Sequence, residues 1–196
     1  MIQIEILTLG LYQTNTYIIY AEGSNTCCVI DPGYNPRTIL NKVSSLGLTV
    51  EAILLTHGHF DHVGAVRDIA AETDCQVYIH REELSLPGMI TAGPLYYTHT
   101  YDEGSRVHLA GLTISVLHTP GHTPGGVCLR CENALFSGDT LFARACGRTD
   151  LPGGNFATIY ASLKRLAAIE EDLRVFPGHA ESTTLAEEKK YNPYMQ

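Results

Sequence analysis

The sequence has few basic residues and no long apolar run, and both scarcities exclude classes of protein. Its 196 residues include 13 lysines and arginines against 21 aspartates and glutamates, so the formal net charge is −8. Proteins that bind nucleic acid or an anionic membrane surface need a basic face, so we expect neither partner. No apolar stretch approaches the roughly 18 residues that a membrane-spanning helix requires. The 44% hydrophobic content instead suits one globular domain.

The chain also lacks the features of a secreted, disulfide-bonded protein. Residues 1–6 alternate between apolar and polar like a strand and carry no basic segment of a signal peptide. Among the six cysteines, Cys128 and Cys131 have the spacing of half a zinc knuckle, but no second pair exists. Positions three apart in a strand also face opposite sides. We therefore expect mostly buried, reduced thiols in a cytoplasmic protein.

Hydrophobic periodicity predicts an α/β fold. Alternating or continuous apolar runs predict strands over 2–7, 14–20, 26–30, 52–55, 76–79, 112–117, 127–130, 134–136 and 173–176. Apolar residues three and four positions apart predict helices from Pro36 to Leu46 with Asn35 as N-cap, after Phe60, over 156–169 and over 185–191. Strands precede helices in each half. That order favours two sheets packed together with helices outside, a four-layer αββα sandwich.

Residues 87–106 show no clear periodicity and are rich in glycine and tyrosine. A segment this long without regular structure is uncommon inside a compact domain and is often functional. Two interpretations are equally supported. The segment is either a lid on the substrate side of a site or a surface loop packed by its own tyrosines.

The densest chemistry lies in residues 56–62, directly after an apolar run. Three histidines and one aspartate fall within six positions, namely His57, His59, Asp61 and His62. Extended backbone places His57 and His59 on one face, roughly 6–7 Å apart at Cα. Two imidazoles so placed can converge on one ion at about 2.0–2.1 Å. Asp61 and His62, at the entry to a helix, can turn toward a second ion. This spacing predicts a metal site rather than a polar surface turn.

Three further candidates each follow a predicted strand. They are His122 in a loop rigidified by proline and glycine, Asp139 after the strand 134–136, and His179 after the strand 173–176. Ligands at successive strand ends can meet at one edge of a sandwich, where rigid elements hold them. Each residue alone is weak evidence, but all three behind the first motif predict a site for two ions. His118, just before the loop of His122, is a candidate for orienting a ligand from outside.

The complete pattern resembles the metallo-β-lactamase fold superfamily, in which HxHxDH is followed by distant His, Asp and His. The resemblance covers almost the whole chain. It implies one metal ion held by His57, His59 and His122, and a second held by Asp61, His62 and His179. It also implies that Asp139 bridges the two ions.

A narrower resemblance concerns the short glyoxalase II-like (hydroxyacylglutathione hydrolase-like) hydrolases. It rests on aspartate in place of the second-site cysteine of lactam-cleaving enzymes, and on segments 137–142, 146–154 and 183–193. It implies hydrolysis of a thioester such as S-lactoylglutathione by a hydroxide bridging two divalent ions, with Asp61 as the catalytic residue that orients it. Zinc is the expected metal, and His/Asp sites also suit iron and manganese.

The substrate is less constrained than the metal site. Glyoxalase II adds a C-terminal helical region that binds glutathione, whereas only 17 residues follow His179 here. We therefore expect a single domain over 1–196 without that region. Arg148, Tyr97 and Lys189 are the candidates for binding a carboxylated small-molecule substrate.

Other functions remain open on sequence grounds. Persulfide dioxygenases resemble this chain in fold and in a Gly-Arg-Thr-Asp segment, and they use one iron. In that case His57, His122 and Asp139 would be the ligands, with Cys146 near the substrate. Hydrolysis of a lactone or another ester, and a non-enzymatic metal-binding module, are the remaining alternatives.

Overall fold

Two six-stranded mixed sheets form the centre of the computed structural model, which describes residues 1–196. The first sheet contains, in spatial order, β1 (Ile2–Leu9), β2 (Thr14–Ala21), β3 (Thr26–Ile30), β4 (Thr49–Leu54), β5 (Gln76–His80) and β6 (His99–Tyr101). The later strands are β7 (Arg106–Leu109), β8 (Leu112–His118), β9 (Val127–Cys131), β10 (Ala134–Gly138), β11 (Leu141–Phe142), β12 (Ala145–Cys146), β13 (Arg174–Pro177) and β14 (Thr183–Thr184). The second sheet has the order β14-β13-β10-β9-β8-β7, and β11 pairs with β12.

Six α-helices accompany the sheets. They are α1 (Pro36–Ser45), α2 (Phe60–Val63), α3 (Val66–Thr73), α4 (Gly88–Thr91), α5 (Phe156–Ala167) and α6 (Leu185–Tyr191), and a 3-10 helix covers Arg81–Ser85. None of the helices combines the length and the apolar character that crossing a membrane requires.

Three buried clusters show how the layers stack. The central cluster joins residues of both sheets, such as Tyr17 of β2 and Phe136 of β10. A second cluster packs Ile39 of α1 and Ile69 of α3 against the outer face of the first sheet. A third packs α5 and α6 against the outer face of the second sheet, with Leu163 fully buried. This arrangement confirms the predicted αββα order of layers.

The ends of parallel strands place the polar motifs at one edge. Strand β3 runs parallel to β4, and β10 runs parallel to β13, so within each pair the carboxyl ends lie side by side. A hydrogen bond joins the two sheets at this edge: the backbone N–H of Asn15 donates to the Gly178 carbonyl at 2.8 Å. The loops that follow these strands therefore face one another.

Two helix predictions need correction. The predicted helix after Phe60 is two helices, because the Ala65 N–H donates to the Pro32 carbonyl (2.9 Å) instead of continuing the helical ladder. Gly33 permits this close approach, since a Cβ there would lie 1.6 Å from the Asp61 carbonyl oxygen. Asn35 precedes α1 as predicted, but it has a left-handed φ of 53° and its side chain makes no capping bond. Asparagine tolerates that conformation better than most residues.

The cysteines are free thiols, and all but the half-buried Cys146 are buried. Cys128 belongs to the cluster under α5, whereas Cys131 belongs to the cluster between the sheets. The pair therefore faces opposite sides of β9, as its spacing predicts, and cannot form a zinc knuckle.

Candidate metal centre

The histidines and aspartates predicted as ligands lie together where the two sheets meet. Ligand atoms of His57, His59 and His122 lie within 4.8 Å of one another, and so do those of Asp61, His62 and His179. The two triads contain the same residues that the family resemblance implies for the two ions. Five of these six side chains are buried, and His179 is partly exposed.

Asp139 lies between the two triads. Its Oδ2 atom is 3.5 Å from His122 Nε2 in one triad and 3.6 Å from His179 Nε2 in the other. Its Oδ1 atom is 3.4 Å from His62 Nε2. A carboxylate in this position faces both triads at once, as a bridging ligand would.

Several buried polar atoms at this centre have no hydrogen-bond partner. They include His57 Nε2, His59 Nε2 and Asp139 Oδ1. Each such atom costs about 1–3 kcal/mol when it is left unsatisfied. Pairs of ring nitrogens also face each other, with His59 Nδ1 and His122 Nε2 only 2.9 Å apart. Converging nitrogens and carboxylate oxygens fit divalent ions, which would satisfy the unpaired atoms and separate the facing rings.

Contacts behind the ligands set the direction of three rings. His62 Nδ1 lies 3.0 Å from Asp31 Oδ2, and His122 Nδ1 lies 2.7 Å from the Arg148 carbonyl oxygen. His179 Nδ1 lies 3.0 Å from the carbonyl oxygen of Tyr12. Each oxygen accepts a hydrogen bond from Nδ1–H, which directs Nε2 toward the centre.

Asp31 is a functional residue that sequence reasoning missed. Its carboxylate accepts from the Thr56 N–H (2.8 Å) and the Thr56 hydroxyl (2.6 Å) as well as from His62. The motif Asp31-Pro32-Gly33 was interpretable only as the end of a strand. The available signal is the parallel pairing of β3 with β4, which places the residue after β3 beside the histidine motif.

Glu83 is a second carboxylate that the sequence did not single out. It is fully buried, and it accepts from the Gly58 N–H at 2.5 Å and from the Gly125 N–H at 2.7 Å. Gly58 separates His57 from His59, and Gly125 lies three residues after His122. Glu83 therefore ties together the two loops that carry the first triad.

His118 does not contact a candidate ligand. Its Nε2 atom lies 2.9 Å from the Pro124 carbonyl oxygen, and its ring stacks on His80 with centroids 4.2 Å apart. His118 thus supports the loop that carries His122 rather than the His122 ring.

The protein groups of the centre carry strongly altered pKa values. Burial, together with the neighbouring His62, lowers the pKa of His57 well below its usual value, and burial beside His122 lowers that of His59 to about 4. Burial alone would lower the pKa of His62, but Asp139 and Asp31 raise it to about 9. Burial alone would raise the pKa of Asp61, but a hydrogen bond from His179 and the charge of His62 lower it below the usual range. His57 and His59 are consequently neutral and Asp61 ionised near pH 7, the forms in which they bind metal, whereas His62 must lose a proton when it binds a metal ion.

A cavity of about 500 Å³ opens onto the centre. Its lining residues are Tyr12, His59, Phe60, Asp61, Met89, Ile90, His122, Asp139, Phe142, Arg148, Leu151 and His179. Five of the seven candidate ligands are thus accessible from one space large enough for a small organic substrate.

The three candidates for substrate binding lie in different places. Arg148 lines this cavity. Tyr97 lines a separate cavity of about 410 Å³ beside Leu84 and Leu86. Lys189 lies on α6, where its amine donates to the Ile169 carbonyl. Only Arg148 of the three is brought to the candidate ligands.

The segment 87–106 contains α4 and β6 and contributes Met89 and Ile90 to the cavity wall. Its tyrosines do not reach that wall. Tyr101 is buried between the sheets, where its hydroxyl donates to the Leu55 carbonyl, and Tyr96 lies under the Arg67 guanidinium at 5.3 Å. The segment therefore contributes one part to the cavity wall and another part to a surface packed by its tyrosines.

Comparison with known families agrees with this geometry. The sequence profile described as the metallo-beta-lactamase superfamily matches residues 9–179. This chain belongs to the metallo-β-lactamase superfamily. The matched range contains both triads and Asp139. Membership, together with the histidine and aspartate clusters, makes the chain a metal-dependent hydrolase by class.

Relatives within the superfamily align over nearly their whole length. Hydroxyacylglutathione hydrolase GloC of Haemophilus influenzae is 31% identical, over 98% of this chain and 97% of that protein. The crystal structure of BLEG-1, described as a B3 metallo-β-lactamase, is 34% identical with a TM-score of 0.90, over 99% of this chain and 100% of that one. The protein TTHA1623, solved in a di-iron-bound form, is 37% identical with a TM-score of 0.85, over 97% and 99% of the two chains.

Cys146, the residue singled out for the superfamily's persulfide chemistry, does not line the cavity. It packs at the edge of the cluster under α5, and burial raises the pKa of its thiol. A raised pKa leaves the thiol protonated and weakly nucleophilic at neutral pH.

Proposed function

We propose that this metallo-β-lactamase-fold protein hydrolyses a thioester at a centre of two divalent ions, with S-lactoylglutathione as the first substrate to test. Zinc is the proposed metal, and the di-iron form of TTHA1623 makes iron the alternative. When bound, the ions would polarise the acyl carbonyl and lower the pKa of a water molecule. His57, His59 and His122 would hold one ion, Asp61, His62 and His179 the other, and Asp139 would contact both.

The observation that carries the proposal is the position of Asp139. Its Oδ2 atom lies 3.5 Å from His122 Nε2 of the first triad and 3.6 Å from His179 Nε2 of the second, and its Oδ1 atom lies 3.4 Å from His62 Nε2 of the second. A single carboxylate so placed has no other partner for its buried Oδ1. It therefore favours two ions close together over one isolated ion.

Asp61 is the proposed catalytic residue. Its Oδ2 atom accepts a hydrogen bond from the Thr14 hydroxyl at 3.2 Å and lies 3.2 Å from His179 Nε2. These contacts fix the carboxylate at the cavity wall and keep it ionised. An ionised Asp61 accepts a hydrogen bond from the attacking water and thereby orients it toward the acyl carbon.

The chemistry of the leaving group supports a thioester as the substrate. A thiolate, with an ordinary pKa near 8.5, departs without strong help from an acid. Among the residues lining the cavity, the titratable side chains apart from the candidate ligands are Tyr12 and Arg148. Neither is a histidine or a carboxylic acid, the side chains that most often serve as general acids. GloC adds support, because a protein of the same extent carries the name hydroxyacylglutathione hydrolase.

The test is a substrate panel run on purified protein of measured metal content. The panel contains S-lactoylglutathione, a neutral lactone, a cephalosporin and glutathione persulfide with an oxygen electrode. We expect thioester cleavage to exceed lactone and cephalosporin cleavage, with no oxygen uptake. Cephalosporin cleavage faster than thioester cleavage would instead favour the lactamase activity for which BLEG-1 is described. Oxygen uptake without thioester cleavage would favour a persulfide dioxygenase.

A pair of variants controls for the centre. His122→Gln removes a candidate ligand, and we expect at least about a hundredfold loss of thioester cleavage. His108→Gln is the matched control, because His108 is an exposed residue of β7 that contacts Thr113. Equal activity of the two variants would contradict the proposed centre.

A further inference from the structure

The cavity wall beside the metal centre is largely apolar. Its apolar residues come from separate segments of the chain, and Tyr12 and Phe60 pack edge to face with centroids 5.3 Å apart. Met89 and Ile90 of α4 and Leu151 supply further apolar surface. Because these residues converge from distant positions, the fold assembles this wall around the centre.

Part of this apolar surface is open to water. Met89 is 81% exposed and Tyr12 is 55% exposed, although both line the cavity. Leu11, next to Tyr12 in the β1–β2 turn, is 87% exposed. Exposed apolar side chains grouped at the mouth of a cavity mark a binding surface for an apolar group.

The cavity offers an anion no unpaired basic side chain. Arg148 is the single lysine or arginine among the lining residues. Its Nε and a terminal nitrogen each donate to Asp150 at 2.7 Å, in a bidentate pair. That hydrogen bond lowers the pKa of Asp150 to about 2, so Asp150 stays ionised and cancels the charge of Arg148.

We infer that this protein selects thioesters with an uncharged, apolar acyl chain, and that Asp150 sets this preference by occupying Arg148. The inference rests on the thioester hydrolysis proposed above. In this inference the acyl chain lies in the cavity and the thiol carrier extends toward solvent. Met89 and Tyr12 contact the chain, and the paired Arg148 does not attract a carboxylate on it.

The test uses a series of N-acetylcysteamine thioesters, which share one neutral thiol. The acyl groups are acetyl, hexanoyl and glutaryl, the last two being of similar length with a methyl or a carboxylate at the end. Each fully buried methylene contributes about fourfold in binding. We expect kcat/KM for hexanoyl to exceed that for acetyl by at least about tenfold, and to exceed that for glutaryl by a similar factor. Equal rates for acetyl and hexanoyl would overturn the inference.

Two variants assign the preference to named residues. Met89→Ser should reduce the hexanoyl-to-acetyl ratio at least about threefold, through KM rather than kcat, because about one methylene contact or more is lost. Ile6→Ser is the matched control, since Ile6 is a half-exposed apolar residue of β1 that does not line the cavity. An unchanged ratio in Met89→Ser would contradict the assignment.

Asp150→Ala frees Arg148 and should raise the glutaryl-to-hexanoyl ratio about threefold to fivefold, the size of an exposed ion pair. Asp150→Glu keeps the charge and should leave that ratio within about twofold. A ratio that does not rise in Asp150→Ala, at unchanged metal content, would overturn the role of Asp150. Failure of every thioester in the series, acetyl included, would overturn the proposed function itself, whereas cleavage without chain preference overturns the inference alone.

Discussion

Asp31 Oδ2 lies 3.0 Å from His62 Nδ1, and the same carboxylate binds the backbone and hydroxyl of Thr56. Asp31 therefore fixes both the backbone that precedes His57 and the ring that faces Asp139. No other carboxylate contacts the Nδ1 side of His62, so the direction of its Nε2 depends on this contact.

Asp31→Asn should weaken the second triad more than the first. The amide retains one oxygen for Thr56 but presents a donor to His62 Nδ1, which disfavours the tautomer with a free Nε2. Loss of such a contact typically costs 10- to 100-fold in metal affinity. Titration of metal-stripped protein should show one ion bound as in the wild type and a second bound at least about tenfold more weakly. Equal affinity of both ions in the variant would show that Asp31 does not orient His62.

Asp139→Ala should remove the contact between the two triads. We expect one ion or fewer per chain by elemental analysis and no measurable hydrolysis, because the variant leaves each triad without its shared carboxylate. Asp68→Ala is the control, since Asp68 is an exposed residue of α3. Unchanged metal content in Asp139→Ala would rule out the bridging role.

Asp61→Ala should cost far more activity than His118→Ala. Asp61 faces the cavity and the second triad, whereas His118 reaches the first triad only through the Pro124 carbonyl and the stacked His80. We expect at least about a hundredfold loss of kcat for Asp61→Ala and less than about tenfold for His118→Ala. Comparable losses would mean that the roles of these two residues are wrongly assigned.

Glu83 should make stability depend on pH. Burial raises the pKa of Glu83 to about 7 from an ordinary value of 4.5, although hydrogen bonds from the Gly58 and Gly125 N–H groups oppose the shift. Between these values the folded chain binds more protons than the unfolded chain, so this group's contribution to stability is present below about pH 4.5 and is lost as pH rises through 7. The difference between the two pKa values corresponds to about 3 kcal/mol in the free energy of unfolding.

Denaturant unfolding of the wild type and Glu83→Gln between pH 5 and 8 checks this linkage. Glutamine cannot ionise, so the decline in the free energy of unfolding with rising pH should be shallower in the variant. The Glu83→Gln variant should also be less stable than the wild type at pH 5 by about 1–3 kcal/mol, since an amide NH2 replaces one acceptor oxygen. Identical slopes for the two proteins would show that Glu83 does not titrate in this range.

Much of the fold was predictable because local pattern and tertiary packing agree. Strand β3 and helix α6 have the predicted bounds, since an apolar run and a charged amphipathic repeat mark them. The helix after Phe60 was predicted as continuous, because the apolar spacing continues through Val66. Its interruption depends on the Pro32 carbonyl, which reaches Ala65 only in the folded chain.

The candidate ligands were predictable for a similar reason. Histidines and aspartates that follow successive strands need only the sandwich order to meet at one edge. Asp31 and Glu83 are single carboxylates whose partners are 25 to 42 residues away. Nothing in their local sequence distinguishes them from surface acids. Lys189 and Tyr97 are the opposite case. Their side chains suit substrate binding, but the fold places both away from the cavity.

The most direct measurement is thioester hydrolysis as Zn²⁺ is titrated into the metal-stripped protein. If two ions act together around Asp139, activity should rise until two ions are bound per chain and then stop rising. Saturation at one ion per chain, or binding of two ions without thioester cleavage, would contradict the account.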